Sequence, residues 1–185
     1  MRLRREFHRL NLNQTYFELF DLPEQYALDA GQLSERYRHL QQALHPDRFA
    51  GASSHEQRLA VQYSSFVNEA FATLRDPLRR ALYLLERAGM DAETVSRQQV
   101  DGGFLIQQME LREKLETFHD LLDPDTVLAH LLDEIEADLA EAQAEAEAAL
   151  DAGEIAAAAG AVVKMQYLDK LHAEAELLES QLMDA

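Results

Sequence analysis

Apolar residues in this chain recur at spacings of three and four, and no stretch alternates with period two. Such a pattern gives a helix one face to bury and gives a strand none, so the fold class is all-α. Breakers are scarce: 7 Gly and 4 Pro in 185 residues. Thr15-Tyr16-Phe17-Glu18 reads as a capping box, with Thr15 as N-cap and Glu18 reaching back to it. It opens a short helix that ends before Pro23. A second helix is expected over 31–44, with Leu33, Tyr37, Leu40 and Leu44 as one stripe. Arg36, Arg38 and His39 lie off that stripe and make a basic outer face. Pro46 disfavours helical backbone at His45, so the helix stops near Leu44. After a loop over 45–53 containing Gly51, Ser54-His55-Glu56-Gln57 reads as a second capping box. The third helix then runs to about Leu74 and buries Leu59, Tyr63, Phe66, Val67, Ala70, Phe71 and Leu74. The short loop makes the second and third helices an antiparallel hairpin. Asp76-Pro77 starts a further helix with Leu78, Leu82 and Leu85 inward, and Gly89 stops it.

The stretch 89–101 is polar and has no stripe, so its start reads as a linker. Three longer helices are expected after it, over about 103–122, 124–151 and 154–183, with Asp123-Pro124 and Gly153 at the joints. Two short connections between long helices imply an up-down-up three-helix bundle. Leu111, Leu115, Phe118 and Leu122 face inward from the first. Leu128, Leu131, Ile135, Leu139 and Ala142 do so from the second, and Val163, Leu171, Ala175, Leu178 and Leu182 from the third.

Charge divides the chain in the same place. Residues 1–90 carry 12 Arg against 11 Asp+Glu, while residues 91–185 carry 5 Lys+Arg against 23 Asp+Glu. The whole excess behind the net charge of −17 lies in the second half, which suggests two units with different partners. An acidic chain repels phosphate backbones, so no nucleic acid is expected. No apolar run approaches the length of a membrane span, so no membrane is expected either. The N-terminus has no apolar signal core; Met1–Gln14 is Arg-rich and reads as a solvated lead-in. Without a cysteine there is no disulfide, thiolate nucleophile or zinc finger.

The tripeptide His45-Pro46-Asp47 carries the strongest signal. Alone it is compatible with a polar turn. Its setting is the tip of a helical hairpin, after a basic helix and before one rich in aromatic residues. Here the chain resembles the J-domain family of co-chaperones. The matching stretches are Tyr16 to Leu22, Tyr37-Arg38-His39-Leu40, the tripeptide itself, Asn68 to Leu74, and Asp76-Pro77-Leu78-Arg79-Arg80-Ala81. His45-Pro46-Asp47-Arg48-Phe49 with Tyr83-Leu84-Leu85 resembles the HscB-like branch, which serves iron–sulfur cluster assembly. Phe104 to Glu113 and Tyr167-Leu168-Asp169-Lys170-Leu171 are similar to the second domain of that branch.

The resemblance implies an adaptor and not an enzyme, with a J-domain at 1–88, a linker at 89–97 and a scaffold-binding three-helix bundle at 98–185. One hand engages an ATP-hydrolysing chaperone of the HscA/DnaK type and stimulates it. The other holds the iron–sulfur scaffold protein, of the IscU type, and delivers it. For the first hand the expected residues are His45, Pro46 and Asp47, with Arg36, Arg38, His39 and Arg48 as steering charge. A carboxylate on a stiff loop suits a directional pair with an Arg of the chaperone, and proline lowers the entropy cost of docking. Glu35, Gln41 and Gln42 dilute the basic face. For the second hand the family's pattern points to Leu105, Ile106, Met109, Glu110, Glu113 and Tyr167. Leu and Met at helical spacing are more often core; the resemblance reads them instead as an apolar patch rimmed by Glu110 and Glu113.

No cofactor or metal is expected. Glu116-Thr117-Phe118-His119 is a single E-x-x-H, whereas a di-iron bundle needs two. The acidic run from Asp133 to Glu147 reads as a solvated face. A cytoplasmic monomer is expected. Two other readings remain open from the residues: a J-domain adaptor for a different client, and a carboxylate-bridged metalloprotein.

Overall fold

The computed structural model describes residues 11–183, except for the side chain of Pro46. The Arg-rich lead-in over 1–10 lies outside the described residues. Every regular element among those described is helical: α1 (Tyr16–Leu19), α2 (Ala30–Leu44), α3 (Ser54–Arg75), α4 (Pro77–Arg87), α5 (Ala92–Ser96), α6 (Gly102–Thr117), α7 (Pro124–Asp151) and α8 (Ile155–Met183). Single 3-10 turns stand at Pro46–Phe49 and Phe118–Asp120. Contacts divide the chain into two compact units, 1–83 and 84–185, with the division inside α4.

In the first unit, the capping box at Thr15 and Glu18 holds in both directions. Helix α1 ends where Asp21 takes a left-handed φ of 50°. The Leu22 amide donates to the Phe17 carbonyl at 2.9 Å and the Asp21 amide to that of Glu18 at 3.1 Å, the paired closure of a Schellman end. Helices α2 and α3 form the hairpin. Tyr37 stacks on Phe71 with ring centroids 3.8 Å apart, and its hydroxyl donates to Asn68 at 3.0 Å. Phe17, Phe20, Leu33, Val67, Ala70 and Leu74 are buried. Tyr83 stacks on Tyr16 at 4.4 Å and its hydroxyl accepts the Tyr16 amide at 3.0 Å. The N-cap of α3 is Ser53, not Ser54: the box closes between Ser53 and Glu56. Leu59, Tyr63, Phe66 and Phe71, expected inside, are half-buried.

In the second unit, α7 and α8 are the long antiparallel pair, joined at Gly153 with φ +72°, and α6 packs on both. The core is large side chains at one end, including Leu111, Phe118, Leu128, Ile135, Met165 and Leu168, and alanines towards the α7–α8 joint: Ala142, Ala146, Ala149, Ala158, Ala159 and Ala161. Small residues let two helices approach where a short connection forces them together. Met165 and Leu168 are core residues that the expected stripe left out; Leu139, Leu178 and Leu182 are only half-buried. Leu122 is a correction: it is fully exposed. Helix α6 ends at Thr117, and Phe118 fills the inward place from the following turn. The backbone leaves the helix before Leu122: after the 3-10 turn at Phe118–Asp120, Leu121 is extended (φ −89°, ψ 159°), which takes the side chain at 122 off the inward face of α6. Within the expected linker, 89–97, stands α5. Its N-cap Asp91 accepts the Thr94 amide at 2.8 Å, and it packs on α8 with Val95 buried.

Candidate functional site

The hairpin tip follows from one conformational constraint. Before proline, His45 is extended (φ −57°, ψ 131°), which ends α2 and starts the 3-10 turn. Of Pro46 the structure gives only its backbone place, first in that turn. The Arg48 amide closes the turn on the His45 carbonyl at 3.0 Å. With Nδ1 unprotonated, His45 accepts the Asp47 amide at 3.4 Å; protonated, the same nitrogen faces the Asp47 carboxylate at 3.5 Å. The Asp47 side chain is 90% exposed, so its carboxylate points to solvent and is not folded into the protein. Gln57, on α3, fastens the far side of the tip: its Nε2 donates to the Phe49 carbonyl at 3.0 Å and to that of Ala52 at 3.3 Å. The sequence offers Gln57 only as the partner of Ser54 in a capping box, and nothing in that spacing points to the carbonyls of the tip.

The four residues expected to steer the chaperone are placed unequally. Arg38, His39 and Arg48 are exposed. Arg36 is directed at the end of α1, where its guanidinium donates to the carbonyls of Phe20 and Asp21 and pairs with the Asp21 carboxylate at 3.0 Å. It thus clamps the backbone that turns at Asp21, and its hydrogen bonds serve the fold.

In the second unit, α6 is apolar on two sides for opposite reasons. Phe104, Leu111 and Leu115 face inward. Leu105, Ile106 and Met109 are 46, 61 and 73% exposed, and Tyr167 of α8 is 48% exposed. Glu110 and Glu113 are exposed beside them. The edge-to-face contact of Tyr167 with Phe104, at 6.3 Å between centroids, brings the aromatic from α8 to the first turn of α6. Four large apolar side chains open to water with a carboxylate rim have the make-up of a docking surface. Among the described residues no His/Asp/Glu group is arranged to hold a metal ion, and no helix is long and apolar enough to cross a membrane.

The family described as "HSCB C-terminal oligomerisation domain" matches residues 100–176. Over 170 residues the chain is 43% identical to the co-chaperone protein HscB homolog of Shewanella loihica, covering 90% of this chain and 98% of the relative. The chain belongs to the HscB family of co-chaperones. Two solved structures agree with the fold. Chaperone HscB from Vibrio cholerae superposes with a TM-score of 0.82 at 40% identity, over 91% of this chain and 99% of that one. The human co-chaperone protein HscB does so with a TM-score of 0.83 at 28% identity, over 92% and 84%. As an HscB co-chaperone the chain is an adaptor and not an enzyme.

Polar pairs also fasten α6 in this HscB-family chain. Gln107 donates to Asp138 at 2.7 Å, and Lys114 pairs with Glu134 at 2.8 Å. Lys164 of α8 lies 2.9 Å from Glu145 of α7 and 3.5 Å from Asp101, the N-cap of α6. The Glu145 hydrogen bond is the main reason that the Lys164 ammonium is held above the ordinary lysine range.

Proposed function

We propose that this chain is a two-handed adaptor that brings an iron–sulfur scaffold protein to an ATP-driven chaperone. Residues 1–88 act as the J-domain and stimulate ATP hydrolysis by a partner of the HscA/DnaK type. Residues 98–185 hold an IscU-type scaffold and deliver it, which aids maturation of iron–sulfur proteins in the cytoplasm. The chain works as a single copy. Membership of a co-chaperone family supports the reading, and so does the chemistry of each hand.

The observation that carries it is the exposed carboxylate of Asp47 on a turn held by its own hydrogen bonds. An Arg of the chaperone gains two parallel charge-assisted bonds from such a carboxylate. Little entropy is lost on docking because the turn is already ordered. His45 and His39, with the neighbouring cations Arg38 and Arg48, orient the approach. At the other hand, Leu105, Ile106, Met109 and Tyr167 bury apolar area against the scaffold, at about 25 cal/mol per Å² removed from water. Glu110 and Glu113 select a partner with cations around an apolar centre.

Calorimetric titration of the whole chain with the scaffold tests the cargo hand. Leu105→Ala with Tyr167→Ala is expected to weaken binding by about 100-fold, the loss of two anchoring side chains, and to leave scaffold-free stimulation of the chaperone unchanged. Unchanged affinity in that variant contradicts the assignment of the patch. A wild-type chain that ignores the scaffold but still stimulates the ATPase points to a different client.

A further inference from the structure

We propose that Lys164 is a positioning residue for cargo: its ammonium joins the N-cap of α6 to α7 and α8, and so sets where Leu105 and Tyr167 stand. The inference rests on the cargo reading above and deepens it.

Three observations converge on this one side chain. Its Nζ lies 2.9 Å from the Glu145 carboxylate on α7 and 3.5 Å from Oδ2 of Asp101. It also lies 5.8 Å from the Phe104 ring centroid, within reach of a cation–π contact. Asp101 uses its two oxygens differently. Oδ1 accepts the Phe104 amide at 2.9 Å and starts α6, while Oδ2 faces Lys164. Phe104 in turn meets Tyr167 edge-to-face. Lys164 and Tyr167 are three positions apart on α8 and therefore share a side of that helix. A single charge thus faces the N-cap carboxylate of the helix that displays Leu105 and the ring that supports Tyr167. Lys164 is half-buried among carboxylates and an aromatic face, so it is not an exposed cation available for steering.

Removal of this tie leaves the packed core of Leu111, Leu115 and Phe118 in place. What loosens is the first turn of α6, and with it the relative placement of two anchors that a partner must meet together. A docking surface whose anchors must be ordered during binding loses affinity by that ordering cost.

The test is a titration of full-length Lys164→Met and Asp101→Ser variants, and the double variant, against the IscU-type scaffold. Serine still caps the helix but offers Lys164 no charge. Each single change is expected to weaken binding by about tenfold, and the double change by little more than either, as for two ends of one interaction. Lys164→Arg, which keeps the charge, is expected to bind within about threefold of wild type. Amide exchange should quicken in the first turn of α6 and stay slow around Leu111. A merely structural role would lower the unfolding temperature and leave the folded protein's affinity alone. If both single variants bind as wild type while Leu105→Ala with Tyr167→Ala does not, the positioning role is overturned and the cargo reading stands. If all of them bind as wild type, the cargo reading itself falls.

Discussion

The aspartates of this chain show how one residue type is put to opposite uses by its surroundings. Asp29, Asp91 and Asp101 are N-caps, and each is held below the ordinary carboxylate range, first by the backbone amide it accepts: Gln32, Thr94 and Phe104. For such groups the stabilisation is complete above the unfolded value, near about pH 4. It is lost as pH falls through the lower folded values. Asp138 runs the other way. Burial is the largest cause and raises it, Glu134 and Glu141 push in the same direction, and the Gln107 hydrogen bond opposes them. Ionised Asp138 therefore costs stability, and the cost is relieved as pH falls through its raised folded value. Asp138→Asn keeps a partner for Gln107 without the charge. Thermal unfolding at pH 7 is expected to show a higher midpoint for Asp138→Asn, with the advantage shrinking towards about pH 4. A lower midpoint at pH 7 would contradict this. Not all of this detail is legible in a sequence. The box at Thr15 and Glu18 is unambiguous, but Ser53 to Glu56 and Ser54 to Gln57 satisfy the same spacing. Only the loop that delivers the chain to α3 decides between them.

Single elements were legible wherever one face is apolar and the other polar. The hairpin of α2 and α3 has that form, and so has α4. Helix α6 does not, because its outward side carries Leu105, Ile106 and Met109 opposite the core side; resemblance, not periodicity, separated the two. Helix α5 has one apolar anchor, Val95, in five residues, too few to show any period. Three of the five cations in the second half tie α6 to its neighbours: Arg112 and Lys114 from α6 to carboxylates of α8 and α7, and Lys164 of α8 to the N-cap Asp101. Two glycines separate backbone demand from helix propensity. At Gly153 an added Cβ would meet no atom within 4 Å, yet φ is +72°. Gly153→Ala is expected to cost about 1 kcal/mol by backbone strain alone. Gly160 sits inside α8 with equally open surroundings and no such φ. Gly160→Ala should stabilise by about 0.5–1 kcal/mol. Chemical denaturation of the two variants checks the pair; the same sign for both would contradict the account.

At the scale of the whole molecule, charge divides the chain at residue 90, whereas contacts divide it at 83/84, within α4. The difference is physical: a continuous helix hides a boundary that composition marks only after the helix has ended. Each unit presents an exposed feature on which the proposal rests. In the first it is the carboxylate of Asp47; in the second, the apolar side of α6 with Tyr167. On the proposed function the two features belong to different units, so a change at one is expected to leave the other working. The most direct test is the steady-state ATPase rate of the HscA/DnaK-type chaperone. It is measured alone, with this protein, and with this protein plus the scaffold, and repeated with Asp47→Asn. Wild type is expected to raise the rate, scaffold to raise it further, and Asp47→Asn to abolish both increments while circular dichroism and scaffold affinity stay unchanged. Full stimulation by Asp47→Asn would contradict this.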